Sequence, residues 1–346
     1  MAHLPRSRHR SIRALLAILV AASVAALSAC GASGDSGDSG ASGSAEESSS
    51  SPSAGGNFPA TVSTKFGDVT VSSKPKRVVA LGWGDAATAI ALGVQPVGAS
   101  DWLGFGGDGL GPWVKDGYTT KPTIIGTLEP SYEKIWDLHP DLILDVKSSG
   151  DQKRYDMLSK IAPTIGIPEG ADDYMTGMTT QVKMIAAALG KPEKGAALLA
   201  DIDQRFADAA AAHPQFKGKT VSVSALSGGG WGAYIASTDR VRFLHRLGFE
   251  NSPTINAAKP EGFTVPISAE KLSMLDADLV VSMPIGKPAS AIADNPVFEQ
   301  IPAVKAGRYL VLGNADVRAA YSTNTVLSIP YALDKMVPML AAKLKS

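Results

Sequence analysis

Ser131-Tyr-Glu-Lys-Ile-Trp-Asp-Leu-His-Pro-Asp-Leu-Ile143 reads against Ser268-Ala-Glu-Lys-Leu-Ser-Met-Leu-Asp-Ala-Asp-Leu-Val280 at an offset of 137 residues. Ser, Glu, Lys, an aliphatic, Leu, Asp, Leu and an aliphatic recur at identical spacing. Each copy holds a hydroxyl placed to cap a helix, apolar residues at helical spacing, and an aliphatic run of strand type. Two helix–strand units can converge on the same core positions. Here the polar Ser and the Glu-Lys pair recur with the core. The echo therefore predicts two lobes of similar build.

The flanking sequence extends this rhythm. Arg77-Val-Val-Ala-Leu81, Pro96-Val-Gly98, Thr123-Ile-Ile125 and Asp141-Leu-Ile-Leu144 read as short strands. Between them lie helical segments, Ala86–Leu92 with Asp85 as its cap and Gly93 as its stop, and Ser131–Leu138. After the second echo unit come the strands Asp278–Val281 and Arg308–Leu312, and a last helix running to Lys345. Thr220–Leu226 is a further strand, and Arg240–Leu247 a helix ended by Gly248. Strand–helix alternation implies a mostly parallel sheet. Lys191–Ala212 interrupts it with one helix, ~33 Å long at ~1.5 Å per residue, whose apolar stripe is Leu199, Ile202, Phe206 and Ala209. The expected fold is α/β: two lobes with mostly parallel sheets flanked by helices, joined by one long interlobe helix. The expected bounds are 58–190 for the N-lobe, 191–213 for the helix and 214–346 for the C-lobe.

The first 29 residues read as a lipoprotein signal peptide. Arg6, Arg8, Arg10 and Arg13 precede the apolar run Ala14–Leu27, which is short of the ~20 residues a bilayer span needs. The run ends in Leu27-Ser28-Ala29-Cys30-Gly31, similar to a bacterial lipobox, in which the cysteine is acylated. Cys30 is the only cysteine, so the body has no disulfide, Cys-metal site or Cys nucleophile. Residues 30–57 are rich in Gly and Ser and form an expected tether reaching on the order of 30 Å. Without the four leader arginines the charge is −4, 29 basic against 33 acidic residues, which argues against nucleic acid. Among the five histidines none stands at a telling distance from a Ser or carboxylate, and no Gly-x-Ser-x-Gly elbow occurs. Gly104-x-Gly106-x-x-Gly109 leads into Leu110-Gly-Pro112 rather than a helix, so it is no dinucleotide fingerprint. An enzyme and a direct metal-ion binder are both disfavoured.

The echo units, the segments Phe243–Phe249, Asn295-Pro-Val-Phe298 and Ile301–Arg308, and the lone long helix resemble the class III substrate-binding proteins of ABC importers, of the iron-siderophore-binding type. The resemblance covers nearly all of Phe58–Ser346. It implies a ligand held in a shallow cleft between lobes that move little, no chemistry on that ligand, and no cofactor beyond the iron inside a bound siderophore. It also implies a monomer anchored by its lipid on the outer face of the cell membrane, working with ABC permease subunits. A carboxylate on each lobe docks the permease; Asp151 is the N-lobe candidate, and Asp294 or Glu299 the C-lobe one. Haem or cobalamin in the same fold, and an envelope lipoprotein without transport, remain alternatives.

In open parallel sheets ligands sit at the carboxyl ends of strands. The first strand of each lobe runs into a glycine-flanked indole, Gly82-Trp83-Gly84 and Gly230-Trp231-Gly232, so Trp83 and Trp231 are expected as opposite walls of the cleft. Trp102, Phe105 and Trp113, in a Gly-rich loop, form either a ligand wall or a satellite core. Arg318 follows the strand ending at Leu312, Arg240 opens a helix after Ser237-Thr-Asp239, and a guanidinium fork suits anionic chelates. Lys147 is a weaker candidate. Tyr321 joins the ligand set. With Tyr155 and Tyr234 it keeps an axial haem ligand open. Trp136 is expected to pack.

Overall fold

The computed structural model describes residues 57–171 and 173–344. The signal peptide, Cys30 and the tether up to residue 56 lie outside these, as does the predicted helix end at Lys345. A hairpin not read from the sequence, β1 (Ala60–Thr64) and β2 (Gly67–Val71), comes first.

The N-lobe sheet has five parallel strands in the order β5-β4-β3-β6-β7. These are β3 (Val78–Ala80), β4 (Gly98–Ser100), β5 (Thr123–Ile125), β6 (Leu142–Leu144) and β7 (Thr164–Ile165). β4 falls two residues later than expected. Helices α1 (Asp85–Ala91), α2 (Tyr132–Asp137), α3 (Gln152–Ser159) and α4 (Met178–Ala188) cover it. Because side chains alternate along a strand, Val78, Ala80, Leu142 and Leu144 pack in one cluster with α1 and α4. Val79 and Ile143 pack in another with Ile135 and Leu158. Both faces are dry, which is why these strands read as unbroken aliphatic runs.

The interlobe helix α5 spans Pro192–Ala212, with its proline in the first turn. A Cβ at Gly195 would stand 2.5 Å from the Ala186 Cβ, so glycine lets α5 cross close to α4. At the far end Phe206 meets Phe243 edge-on at 5.0 Å, inside the C-lobe core.

The C-lobe sheet runs β11-β9-β8-β12-β13, with β10 beside β8. Its strands are β8 (Thr220–Ser227), β9 (Gly230–Tyr234), β10 (Glu250–Asn251), β11 (Thr264–Ile267), β12 (Leu279–Pro284) and β13 (Tyr309–Val311). β8, β10, β12 and β13 are parallel; β9 is reversed, pairing antiparallel with both β8 and β11. Helices α6 (Asp239–Arg246), α7 (Pro253–Ala257), α8 (Ser290–Ala293), α9 (Pro302–Lys305), α10 (Ala315–Thr323) and α11 (Ile329–Lys343) surround it.

The echoed residues do matching work in the two lobes. Asp141 accepts the N–H groups of Lys76 and Arg77 at 2.7 and 2.9 Å, fixing the start of β3 against β6. Asp278 accepts the N–H and hydroxyl of Thr220 at 2.9 and 3.0 Å, fixing the start of β8 against β12. The helical halves differ. Ser131 caps α2 by accepting from Lys134 N–H, whereas 269–275 is a 3-10 segment with a non-helical Lys271.

Trp231 corrects an expectation. β8 does not enter a helix after its Gly-rich end; residues 227–230 turn the chain back into β9, with Gly230 at φ +100°. Alternation then points Trp231 and Ala233 into an apolar cluster, where Trp231 stacks on Phe298 at 5.7 Å and is 7% exposed. Trp136, expected to pack, is 61% exposed.

Candidate functional site

The carboxyl ends of β3, β4 and β12, with α10 and the start of α6, surround an interlobe cleft of about 560 Å³. On the N-lobe side, Gly84 at φ +80° starts α1 and leaves Trp83 just beyond the carboxyl end of β3, the central strand. The Trp83 backbone is fixed twice: its N–H donates to Lys147 O at 2.9 Å, and its carbonyl accepts from Gln181 Nε2 at 2.8 Å. Trp83 stacks between Trp102 at 4.3 Å and Tyr174 at 4.0 Å. Both indole faces are thereby covered, so Trp83 reaches the cleft by its edge, and Trp102 forms the outer layer of the stack. The Trp83 Nε1 is buried without a hydrogen-bond partner among the described residues.

Beneath this stack lies Asp85. It was expected as the cap of α1, but Gly84 occupies the cap and no side chain caps the helix. The Asp85 carboxylate instead accepts from Val146 N–H at 2.8 Å and Gln181 Nε2 at 2.5 Å, tying three N-lobe segments under the cleft. Burial pushes its pKa up to about 7, against the two hydrogen bonds that lower it. Nearby, Arg154 grips Asp145 bidentately at 2.9 and 2.7 Å and donates to Thr127 O at 2.8 Å. Asp151 is exposed and caps α3 by accepting from Arg154 N–H at 2.8 Å.

On the C-lobe side the Arg240 guanidinium lies 4.7 Å over the Tyr234 ring, and its buried Nε has no hydrogen-bond partner among the described residues. Arg318 donates from Nη1 to Leu312 O and Gly313 O, both at 3.1 Å, which holds its head beside the end of β13. Asp316, Phe263 and Ile285 complete this wall. A smaller chamber of about 40 Å³ continues below, where Lys147 of the N-lobe forms an ion pair with Asp239 of the C-lobe.

The structure thus brings Trp83, Trp102, Arg240 and Arg318 together, and leaves two expected residues out. Trp231 is in the C-lobe core. Tyr321 is fully buried as well: its hydroxyl donates to Arg240 O at 2.5 Å and its ring meets Phe243 edge-on. It braces the Arg240 backbone from behind, and burial drives its phenol far above the usual range. The Gly-rich loop divides between its two readings. Phe105 lines the cleft, while Trp113 packs edge-on against Phe105 at 5.5 Å and against Tyr331 of α11 at 6.0 Å. Tyr155, offered as an axial ligand, stacks on Phe66 at 4.0 Å and is not part of the cleft lining. Tyr174, Phe263 and Ile285 were missed; they stand in irregular segments where no periodicity marks them. Among the described residues no group of three or more His, Cys, Asp or Glu side chains is arranged to hold a metal ion. No described helix is long and apolar enough to cross a membrane.

The profile of the periplasmic binding protein family matches residues 78–315. The chain is 30% identical over 253 residues to the Fe(3+)-citrate-binding protein YfmC of Bacillus subtilis, covering 70% of this chain and 74% of that one. Among solved structures it is similar to Streptococcus pneumoniae PiaA in complex with ferrichrome, with TM-score 0.71 and 26% identity over 82% of this chain and 98% of that one. A periplasmic solute binding protein from Mycobacterium smegmatis gives TM-score 0.71 and 26% identity over 83% of this chain and 99% of that one.

Proposed function

The chain belongs to the periplasmic binding protein family, and from that premise we propose that it is the extracytoplasmic substrate-binding lipoprotein of an ABC importer, capturing a ferric-siderophore complex between its lobes and delivering it to the permease. The observation that carries this reading is the cleft itself. Its volume of about 560 Å³ suits a bulky chelate. Its walls are largely aromatic and aliphatic, and two guanidinium groups are fixed on one side. Trp102, Arg240 and Arg318 are the proposed ligand contacts, with Trp83 supporting Trp102 from behind. The binding of ferric citrate and of ferrichrome by relatives supports the same ligand class.

In this reading the protein performs no chemistry, and iron enters only as the centre of the chelate. Residues 1–29 are the export signal, Cys30 is acylated, and residues 30–57 tether a monomeric body of lobes 58–190 and 214–346 joined by 191–213. Asp151, exposed at the start of α3, is the proposed N-lobe docking carboxylate for the permease. Haem is the weaker ligand: the Tyr321 hydroxyl is committed to Arg240 O, Tyr155 stands outside the cleft lining, and Tyr234, which does line the cleft, is buried with the Arg240 guanidinium over its ring.

The test is a titration of intrinsic Trp fluorescence against ferric hydroxamate, catecholate and carboxylate chelates, haem and cobalamin. Ferric chelates absorb where indole emits, so binding of one class should quench the Trp102–Trp83 pair saturably. Saturable quenching by haem or cobalamin alone would replace the siderophore reading.

A further inference from the structure

Three cationic side chains converge where the lobes meet: Arg240 and Arg318 on the cleft wall and Lys147 at its floor. Lys147 is held in place by its backbone. Val146 N–H donates to Asp85, and Lys147 O accepts the Trp83 N–H at 2.9 Å. Its ammonium group pairs across the lobe junction with Asp239, the first residue of α6, and the two side chains are 8% and 9% exposed. Arg242 Nη1 stands 3.5 Å from the other Asp239 oxygen. Asp239 immediately precedes Arg240, and both line the chamber that Lys147 and Trp83 share.

We propose that Asp239 is a specificity-determining residue: by neutralising Lys147 at the cleft floor, it confines the uncompensated positive charge that a bound chelate meets to Arg240 and Arg318. The inference rests on the reading of the cleft as a chelate site. Stability alone is a poor reason for such a pair, because desolvating two charges offsets much of their attraction. Its effect on the cleft is definite. With Lys147 masked, the floor offers an oxyanion little positive charge, Arg242 sharing the same carboxylate from its half-exposed side, and chelates of similar bulk are sorted by how much negative charge Arg240 and Arg318 can match beside Asp316. Removing the Asp239 charge leaves Lys147 buried without its counter-ion, so a ligand oxyanion becomes its natural partner. Removing the Lys147 charge leaves Asp239 to repel the same oxyanion. The two changes act with opposite sign on anionic ligands and leave a neutral ligand largely unaffected, a pattern that a purely structural pair does not produce.

The experiment compares full-length wild type, Asp239→Asn, Lys147→Met and the double variant by Trp-quenching titration. The probes are a neutral ferric trihydroxamate and a trianionic ferric tris-catecholate. The preference for the anionic over the neutral chelate should rise roughly 10-fold or more in Asp239→Asn, fall by a similar factor in Lys147→Met, and return to within about twofold of wild type in the double variant. Equal changes for both chelates, or shifts of the same sign in the two single variants, overturn the proposal. Where a single variant fails to fold, the double variant carries the test: a preference near wild type supports masking, and a tenfold shift in it overturns masking. If wild type itself binds neither chelate, the reading of the cleft fails, and the role of Asp239 falls with it; that failure is visible before any variant is made.

Discussion

Asp85 offers a direct test of how the cleft floor is held. Its carboxyl is fully buried, and burial moves its pKa from 3.8 to about 7. The unfolded chain loses this proton near pH 4, whereas the folded protein keeps it until about pH 7. Between those limits the folded state binds more protons than the unfolded state, so this group makes stability fall as pH rises. At ~1.36 kcal/mol per pH unit the fall totals about 4 kcal/mol and is complete above pH 7. Asp85→Asn removes the titration and keeps an acceptor for Val146 N–H. Its amide nitrogen would face Gln181 Nε2, so Gln181 must turn its oxygen inward and release Trp83 O, at a cost of about 1 kcal/mol. The variant should therefore be slightly less stable than wild type at pH 4.5 and more stable at pH 8. The difference between the two proteins should change by about 3 kcal/mol across that range. Urea denaturation followed by Trp fluorescence at several pH values measures it, and taking the difference cancels the other titrating groups. A difference that stays flat with pH would refute the reasoning.

Trp102→Ala should weaken binding of the best ligand by about 1–3 kcal/mol, roughly 5- to 150-fold, because Trp102 is the outer layer of the stack. Trp231→Phe should leave affinity unchanged while lowering the melting temperature, and a loss of affinity there would return Trp231 to the site. Arg318→Gln should weaken anionic chelates selectively and flatten the salt dependence of what binding remains, measured by titration at low and high ionic strength. Cys30→Ser should move the protein from the membrane to the soluble fraction; a processed variant that stays in the membrane would remove the lipid anchor from the proposal.

The lobes, the interlobe helix and most strand positions were legible because their signals are local: aliphatic runs, glycine stops and one long helix with an apolar stripe. The echo was informative for the same reason, since Asp141 and Asp278 each fasten the start of a neighbouring strand. The cleft positions of Arg240 and Arg318 were legible too, one as the opening of a helix and the other as a charged residue just beyond a strand. Tyr174, Phe263 and Ile285 were not, because irregular backbone brings them to the cleft and no period announces it. The two Gly-Trp-Gly signatures show where the limit lies. Each follows the first long run of its lobe, and the flanking glycines say only that the backbone bends there. After β3 the bend starts a helix and leaves Trp83 at the strand's carboxyl end. After β8 three consecutive glycines, Gly228 to Gly230, reverse the chain instead, and one step of β alternation sends Trp231 into the core. Even the indole that reached the cleft does not present its face there, because Trp102 and Tyr174 cover both sides of Trp83. A residue's place relative to a strand end therefore identifies the neighbourhood of a site. Which aromatic face lies open to the cleft is decided by the neighbours that arrive from elsewhere in the chain, and in the proposed site that face belongs to Trp102.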